Sequence, residues 1–476
     1  MAIAALDIRE TGSTRLASSR TMVANLVGLV VTLATHAWLA RTLAAEAYGQ
    51  FAIAMSLATV LSAIARLGWD AAVQRFVPAY QAVGNRSRLG GFLQTGTRRV
   101  WFCSTALASC LIATGALGLL PPRVAEVSLP LAALIVVQAW LLWSAACARA
   151  LGRAPLAQTA LEIVRPLTLL AGCGAALWLS VDASLTARDV LAIYAGATLF
   201  SGALVSFVCR RALRGGGDAP SFDELPLWRR TARPLAVGSI LELAYDQADV
   251  LLVGGLLGDR VAGGYALAAR LAKLPLAATT AISMTSVPRL SASIAQGNRE
   301  SSRHTARQAA RGMFLAASLA ALIVLAGGPW ALAWLGAGYA AAIGPLAILL
   351  VGRCAAAAYG PAMQALPLVG HARRVPLYLA IGLAIQAIFS LIAIPWGGAI
   401  GAAIVRCAAA ITCGRLAHSV FLGALCELLA EPASPGRDDN ARLGKRRSGP
   451  STRANLVRPL RHTPVAAQPI GSRTIR

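Results

Sequence analysis

Two stretches of this chain read alike. Leu43-Ala-Ala-Glu-Ala-Tyr48-Gly49-Gln-Phe51-Ala52-Ile-Ala54-Met-Ser-Leu57-Ala58 aligns with Leu257-Gly-Asp-Arg-Val-Ala-Gly263-Gly-Tyr265-Ala266-Leu-Ala268-Ala-Arg-Leu271-Ala272, an offset of 214 residues. At the same offset Arg75 falls on Arg289. In so alanine-rich a chain the Ala and Leu matches say little, and the Gly, aromatic and Arg matches carry the weight. A repeat this long is a duplicated half-molecule rather than a solenoid unit.

Working outward, each copy lies around the second apolar run of a set of six. The runs fall near 21–43, 48–67, 100–120, 127–148, 159–181, 189–209, 234–257, 261–287, 312–334, 340–368, 375–394 and 398–425. Each approaches the ~20 residues that span a bilayer core as a helix. None shows the alternation of a barrel strand. The fold class expected is an all-α integral membrane protein of about twelve transmembrane helices. Six is even, so the two six-helix bundles share one orientation and form parallel repeats.

Charge gives an independent check. With the N-terminus inside, the cytoplasmic segments up to residue 374 hold 23 Arg, and the opposite loops hold only Arg41, Arg123, Arg188 and Arg260. That asymmetry follows the positive-inside rule and places both termini in the cytoplasm. The expected organisation is a cytoplasmic segment 1–20, bundles 21–209 and 234–425, a cytoplasmic linker 210–233, and a basic, disordered tail 426–476. From Glu427 onward the tail carries +6, either solvated or against anionic headgroups. The run Thr21–Leu43 exceeds the usual signal-peptide core, so an uncleaved first helix is expected, with cleavage near Ala40 as the alternative.

Composition agrees. Hydrophobic residues make up 57% of the 476, charged residues 13%, and mean hydropathy is +0.63. A soluble domain is roughly a quarter charged. The net charge of +24 is spread between apolar segments, which argues for membrane lipids and against nucleic acid as its partner. The nine cysteines form no CxxC pair and read as small packing residues.

The order of motifs resembles a known family. Ala40-Arg-Thr-Leu-Ala-Ala-Glu-Ala-Tyr48-Gly49-Gln-Phe51, Leu67-Gly68-Trp-Asp70 through Arg75-Phe76, Asp249-Val-Leu-Leu-Val-Gly254, Gly264-Tyr265-Ala-Leu-Ala-Ala269, Trp334-Leu-Gly336-Ala-Gly-Tyr339 and Gly370-His371-Ala-Arg373 are similar to segments of Wzx-type polysaccharide flippases. The resemblance covers about residues 15 to 425. It implies the MOP superfamily, shared with MATE exporters and lipid II flippases, and two bundles around a central cavity. It also implies a function. Undecaprenyl-diphosphate-linked oligosaccharide would cross the inner membrane for O-antigen, capsule or exopolysaccharide assembly, alongside other polysaccharide-assembly proteins.

Charges within the apolar runs are the candidate site, because each is expensive in a bilayer. Glu242, Asp246 and Asp249 share one face of the seventh helix, and Arg270 and Lys273 one face of the eighth. Counted from the turn near Asp259 and Arg260, Asp249 is level with Arg270, and Asp246 with Lys273. Two roles stand: neutralisation in pairs, and a gate or ion-coupling device built on the three acids. Arg353 and Arg406 lie mid-helix without a sequence-local acid. They either contact an anionic substrate, as Arg270 and Lys273 also could, or pair with an acid or carbonyl elsewhere. Glu162 and Arg165 read as a local pair, Asp70 and Arg75 as an interfacial anchor, and Arg66 as a snorkelling side chain.

The remaining residues exclude other chemistry. There is no phosphate-binding GxxxxGK[ST] loop, the five histidines have no metal spacing, and no catalytic constellation is visible, so neither an enzyme nor a cofactor is expected. Two rival readings remain. One is a MATE-type exporter of small cations, which would need an acid-dominated cavity. The other is a membrane polysaccharide polymerase or ligase, which would need a large external loop.

Overall fold

The structure, a computed structural model, describes residues 23–179, 185–213 and 219–428. The expected cytoplasmic segment 1–20 and nearly all of the basic tail lie outside the described residues. Within them the chain is helical and contains no strand.

The first half runs through α1 (Val23–Thr42), α2 (Ala45–Arg66), α3 (Trp69–Ala82), α4 (Arg86–Ala116), the short α5 (Pro122–Glu126) and α6 (Ser128–Ala150). Then α7 (Ala154–Thr159) and α8 (Arg165–Leu179) are joined by a π turn at Ala160–Val164, and α9 (Ala187–Leu213) follows. The second half comprises α10 (Leu225–Leu257), α11 (Asp259–Leu271), α12 (Leu274–Ala295), α13 (Arg299–Leu335), α14 (Ile343–Ala358), the short α15 (Ala362–Ala365) and α16 (Arg374–Leu428).

Among the described residues nine helices are long and apolar enough to cross a membrane. The other expected spans are present in altered form. α16 is two helices merged across Pro395 and Gly398, and Gly398 has φ 57°, a left-handed value that glycine adopts without strain. α10 is long enough but carries Glu242, Asp246 and Asp249. The eighth span is broken into α11 and α12, because Pro275 lacks the N–H that would continue the ladder.

The repeat is visible in the backbone. α2 begins at Ala45 and α11 at Asp259, 214 residues on. Their matched glycines touch. A Cβ on Gly49 would sit 1.7 Å from the Asp259 carbonyl oxygen, and one on Gly263 would sit 2.8 Å from that of Ala45. Glycine lets two membrane helices approach to backbone contact. α4 and α13 are also started alike: Asn85 and Asn298 each accept a hydrogen bond, from the Arg88 and Ser301 N–H at 3.0 Å.

Several expected loops are helical. Most of 68–99 forms α3 and the start of α4, α13 begins at Arg299, and α10 at Leu225 inside the expected linker. The asparagine caps and amphipathic sequence continue these helices past the apolar cores that hydropathy detects. At this end of the molecule Trp69, Phe92, Trp143 and Trp228 form an aromatic core, with Phe92 5.3 Å from Trp69 and 5.4 Å from Trp228. Tyr80 accepts from Trp228 Nε1 at 2.7 Å and donates to Glu224. Burial, then the Glu224 carboxylate, push its phenol up to about 12, so it stays a neutral donor.

Candidate functional site

Polar side chains from several helices of the second half converge on Asp246, in mid-α10. Lys273 Nζ donates to its Oδ2 at 2.7 Å, Arg406 approaches Oδ1 at 3.1 Å, and Arg353 lies 4.0 Å from the same oxygen. Asp249, one turn on, is buried. It accepts from the Tyr265 hydroxyl at 3.1 Å and lies 3.9 Å from Arg406 Nε.

Local sequence explains these positions. Lys273 sits in the break between α11 and α12, where a discontinuous helix turns side chains into a protein-lined space. The π turn carries Glu162, and Arg165 follows it directly. π turns recur at functional positions because they re-aim side chains off the helical register. Glu162, Arg165, Asp246, Arg270 and Lys273, with Thr32, Met55 and Thr59 of α1 and α2, line one cavity of about 310 Å³. Three cations face two acids across it, so it is net positive.

The two mid-helix arginines differ. Arg406 is 7% exposed. It donates to the Tyr245 carbonyl and to Gln386 Oε1 at 3.3 Å, and lies 4.4 Å over the Tyr245 ring. Its fork is consumed by the protein. Arg353 is 24% exposed and Lys273 38%, and each touches the acids on one side only.

Some expected pairings differ in the structure. Lys273 meets Asp246, but Arg270 does not meet Asp249. Arg270 instead donates to His36 Nε2 at 2.7 Å and points at Met55 Sδ at 3.8 Å. An arginine cannot accept, so His36 Nε2 is the acceptor and Nδ1 carries the proton, facing Tyr48 Oη at 3.5 Å. Arg353 and Arg406, which lack a local acid in sequence, find theirs on α10. Glu162 and Arg165 form no ion pair; Arg165 lies 5.5 Å from the Tyr194 ring centre and its Nε is buried without a hydrogen-bond partner. Arg66 does not snorkel. It is 4% exposed and pairs with Asp70 at 2.7 Å, which leaves Arg75 beside Phe76. Glu242 is exposed and outside the cluster.

Sequence reasoning missed His36, Tyr245 and Gln386. A histidine within the first apolar run was a usable signal, since ionisable residues at membrane depth are rare. Nothing local marked the other two.

A second cavity, of about 340 Å³, shares Glu162 and Lys273 with the first. It lies between Asn25, Leu26 and Leu29 of α1 and Leu276, Thr280 and Met284 of α12. Leu26, Leu276 and Met284 are 48%, 43% and 52% exposed, so this cavity opens on an exposed apolar surface between α1 and α12.

Comparison with known proteins places this architecture. The chain matches the polysaccharide biosynthesis protein family over residues 17–294 and the MatE family over 234–392. No curated protein sequence matches it. Among solved structures it is similar to a multidrug resistance MATE family transporter of the MOP superfamily in an inward-facing conformation. The TM-score is 0.68 at 12% identity, over 87% of this chain and all of the other. It is also similar to the lipid II flippase MurJ in an inward closed conformation, with TM-score 0.64 at 12% identity over 86% of this chain and 90% of that one. A Vibrio cholerae MATE transporter, VcmN, aligns with TM-score 0.60 at 17% identity, over 88% of this chain and all of that one. The fold is therefore that of the MOP superfamily: an all-α, multi-pass membrane protein of two parallel six-helix bundles. With a family match running over more than half its length, the chain belongs to the polysaccharide biosynthesis protein family.

Proposed function

We propose that this protein is a flippase moving undecaprenyl-diphosphate-linked oligosaccharide across the bacterial inner membrane for polysaccharide assembly. One observation carries the reading: the central cavity is net positive and adjoins, through Lys273 and Glu162, a second cavity bordered by exposed apolar side chains of α1 and α12. A lipid-linked diphosphate needs both features. Its anionic head enters a wet, cationic space while its chain stays in the bilayer. Lys273, which lines the cavity, and Arg353, which is outside its lining but lies 4.0 Å from the same Asp246 carboxylate and is partly exposed, are the substrate contacts. Arg270, with His36 behind it, adds charge to the same cavity. Arg406 positions Asp246 and Asp249.

The cavity would face each leaflet in turn as bundles 21–209 and 234–425 rock about it, with both termini in the cytoplasm. Asp246 and Asp249, with Glu242 nearby, are the candidate coupling or gating acids. Membrane lipids and other polysaccharide-assembly proteins are the expected partners.

The MatE family match favours a second reading, export of a small molecule coupled to a cation. Against it, both acids at the centre already face cations.

The test is export of polysaccharide in a strain lacking its flippase. Arg353→Gln with Lys273→Gln should reduce export about tenfold or more at equal membrane level, since each removes a charge-assisted contact of 1.5–3 kcal/mol. Unchanged export would remove the assigned contacts.

A further inference from the structure

A second basic site lies away from the central cavity, at the end where α3, α4 and α10 meet. Arg99 of α4 and Arg229 and Arg233 of α10 line a cavity of about 390 Å³, floored by Trp69, Ala232 and Ala236. Arg99 lies 5.8 Å from the centre of the buried Trp69 ring, and its Nε is buried with no hydrogen-bond partner. Arg229 and Arg233 are exposed and one turn apart. Among the described residues none of the three forms an ion pair. The nearby acids are taken: Asp70 by Arg66 at 2.7 Å, and Glu224 by Arg88 at 2.6 Å and by Tyr80.

Three guanidinium groups around one cavity repel one another, and an orphaned donor between them is costly. The ligand that relieves both is an anion with several oxygen acceptors, which guanidinium forks bind bidentately. Exposed apolar side chains flank the cavity. Trp101 and Phe102, next to Arg99 on α4, are 37% and 73% exposed, and Leu227 and Leu235 on α10 are 49% and 37%. Apolar side chains facing outward beside a basic cavity suit a headgroup with its chains in the bilayer.

We propose that Arg99, Arg229 and Arg233 form a phosphate site for an anionic phospholipid headgroup, separate from the transport cavity. The bound phosphate ties α10 to α4 across the seam between the two halves. Free phosphate offers the same chemistry, and the test separates the two sources.

The full-length protein, purified in neutral detergent, is titrated with phosphatidylglycerol and with phosphatidylcholine, and bound lipids are counted by native mass spectrometry. The comparison is the triple variant Arg99→Gln, Arg229→Gln, Arg233→Gln. Phosphatidylglycerol should saturate its first site on the native protein at about a tenfold lower concentration than on the variant, with phosphatidylcholine adducts equal on both. Because Arg229 and Arg233 are exposed, Arg229→Gln, Arg233→Gln leaves the fold intact and gives the same readout if the triple variant does not insert. Displacement of the first phosphatidylglycerol by millimolar inorganic phosphate would confirm the phosphate site and assign it to free phosphate. Equal phosphatidylglycerol binding by native and variant proteins would overturn the proposal.

Discussion

Asp246 holds three cations on one carboxylate, and that determines how substitutions here behave. Asp246→Asn leaves Lys273, Arg353 and Arg406 facing one another without their shared counter-charge. The loss falls mainly on the buried Arg406, which is left short of a counter-charge, while the partly exposed Lys273 and Arg353 are screened by solvent. The expected result is a several-fold drop in monodisperse protein extracted from membranes, partly restored in Asp246→Asn with Lys273→Met. Size-exclusion profiles of the two variants check this; a double variant worse than the single would contradict the pairing. The Lys273 partner was legible in the sequence because both residues stand equally far from the Asp259 turn. The same count failed for Asp249 and Arg270. Equal depth does not fix the direction in which a side chain leaves its helix, and Arg270 faces α1 and α2 rather than α10. Arg406 stood out as a mid-helix charge, but nothing local pointed to Asp246, 160 residues away, as its partner.

Between elements, α2 and α11 come to backbone contact at Gly49 and Gly263. Gly49→Ala should be destabilising, although alanine in a helix interior ordinarily gains about 1 kcal/mol over glycine. Its Cβ would fall within 1.7 Å of the Asp259 carbonyl oxygen, so the helices must separate. Gly255→Ala, on α10, meets nothing within 4 Å and serves as the control. A thermal melt in detergent should show a loss of several degrees for the first and none for the second. Equal melts would mean that the matched glycines are not a contact. The repeat itself was readable because glycine and aromatic residues recur at a fixed spacing. The π turn before Arg165, the break at Lys273 and the extension of α3, α4 and α13 beyond the apolar runs were not. Hydropathy measures what lipid solvates, whereas these features depend on hydrogen bonds and packing that no window average contains.

For the whole molecule, the arginine asymmetry predicts sidedness. A reporter active only outside the cytoplasm should be silent when fused after Ala212 and active after Pro395; the reverse pattern would invert the topology. Twelve spans were legible because lipid imposes one length on every crossing. Which of the buried charges face the cavity was not, since that follows from how two bundles pack. The central claim is that this cavity moves an anionic lipid headgroup rather than a small cation. It is tested most directly in vesicles holding the purified protein, which are given a fluorescent undecaprenyl-diphosphate sugar and, separately, a fluorescent quaternary ammonium compound. The account predicts that the lipid-linked sugar becomes accessible to a membrane-impermeant quencher at a protein-dependent rate. Arg353→Gln with Lys273→Gln should lower that rate about tenfold, while the cation is not transported. Transport of the cation, with no protein-dependent movement of the lipid-linked sugar, would contradict it.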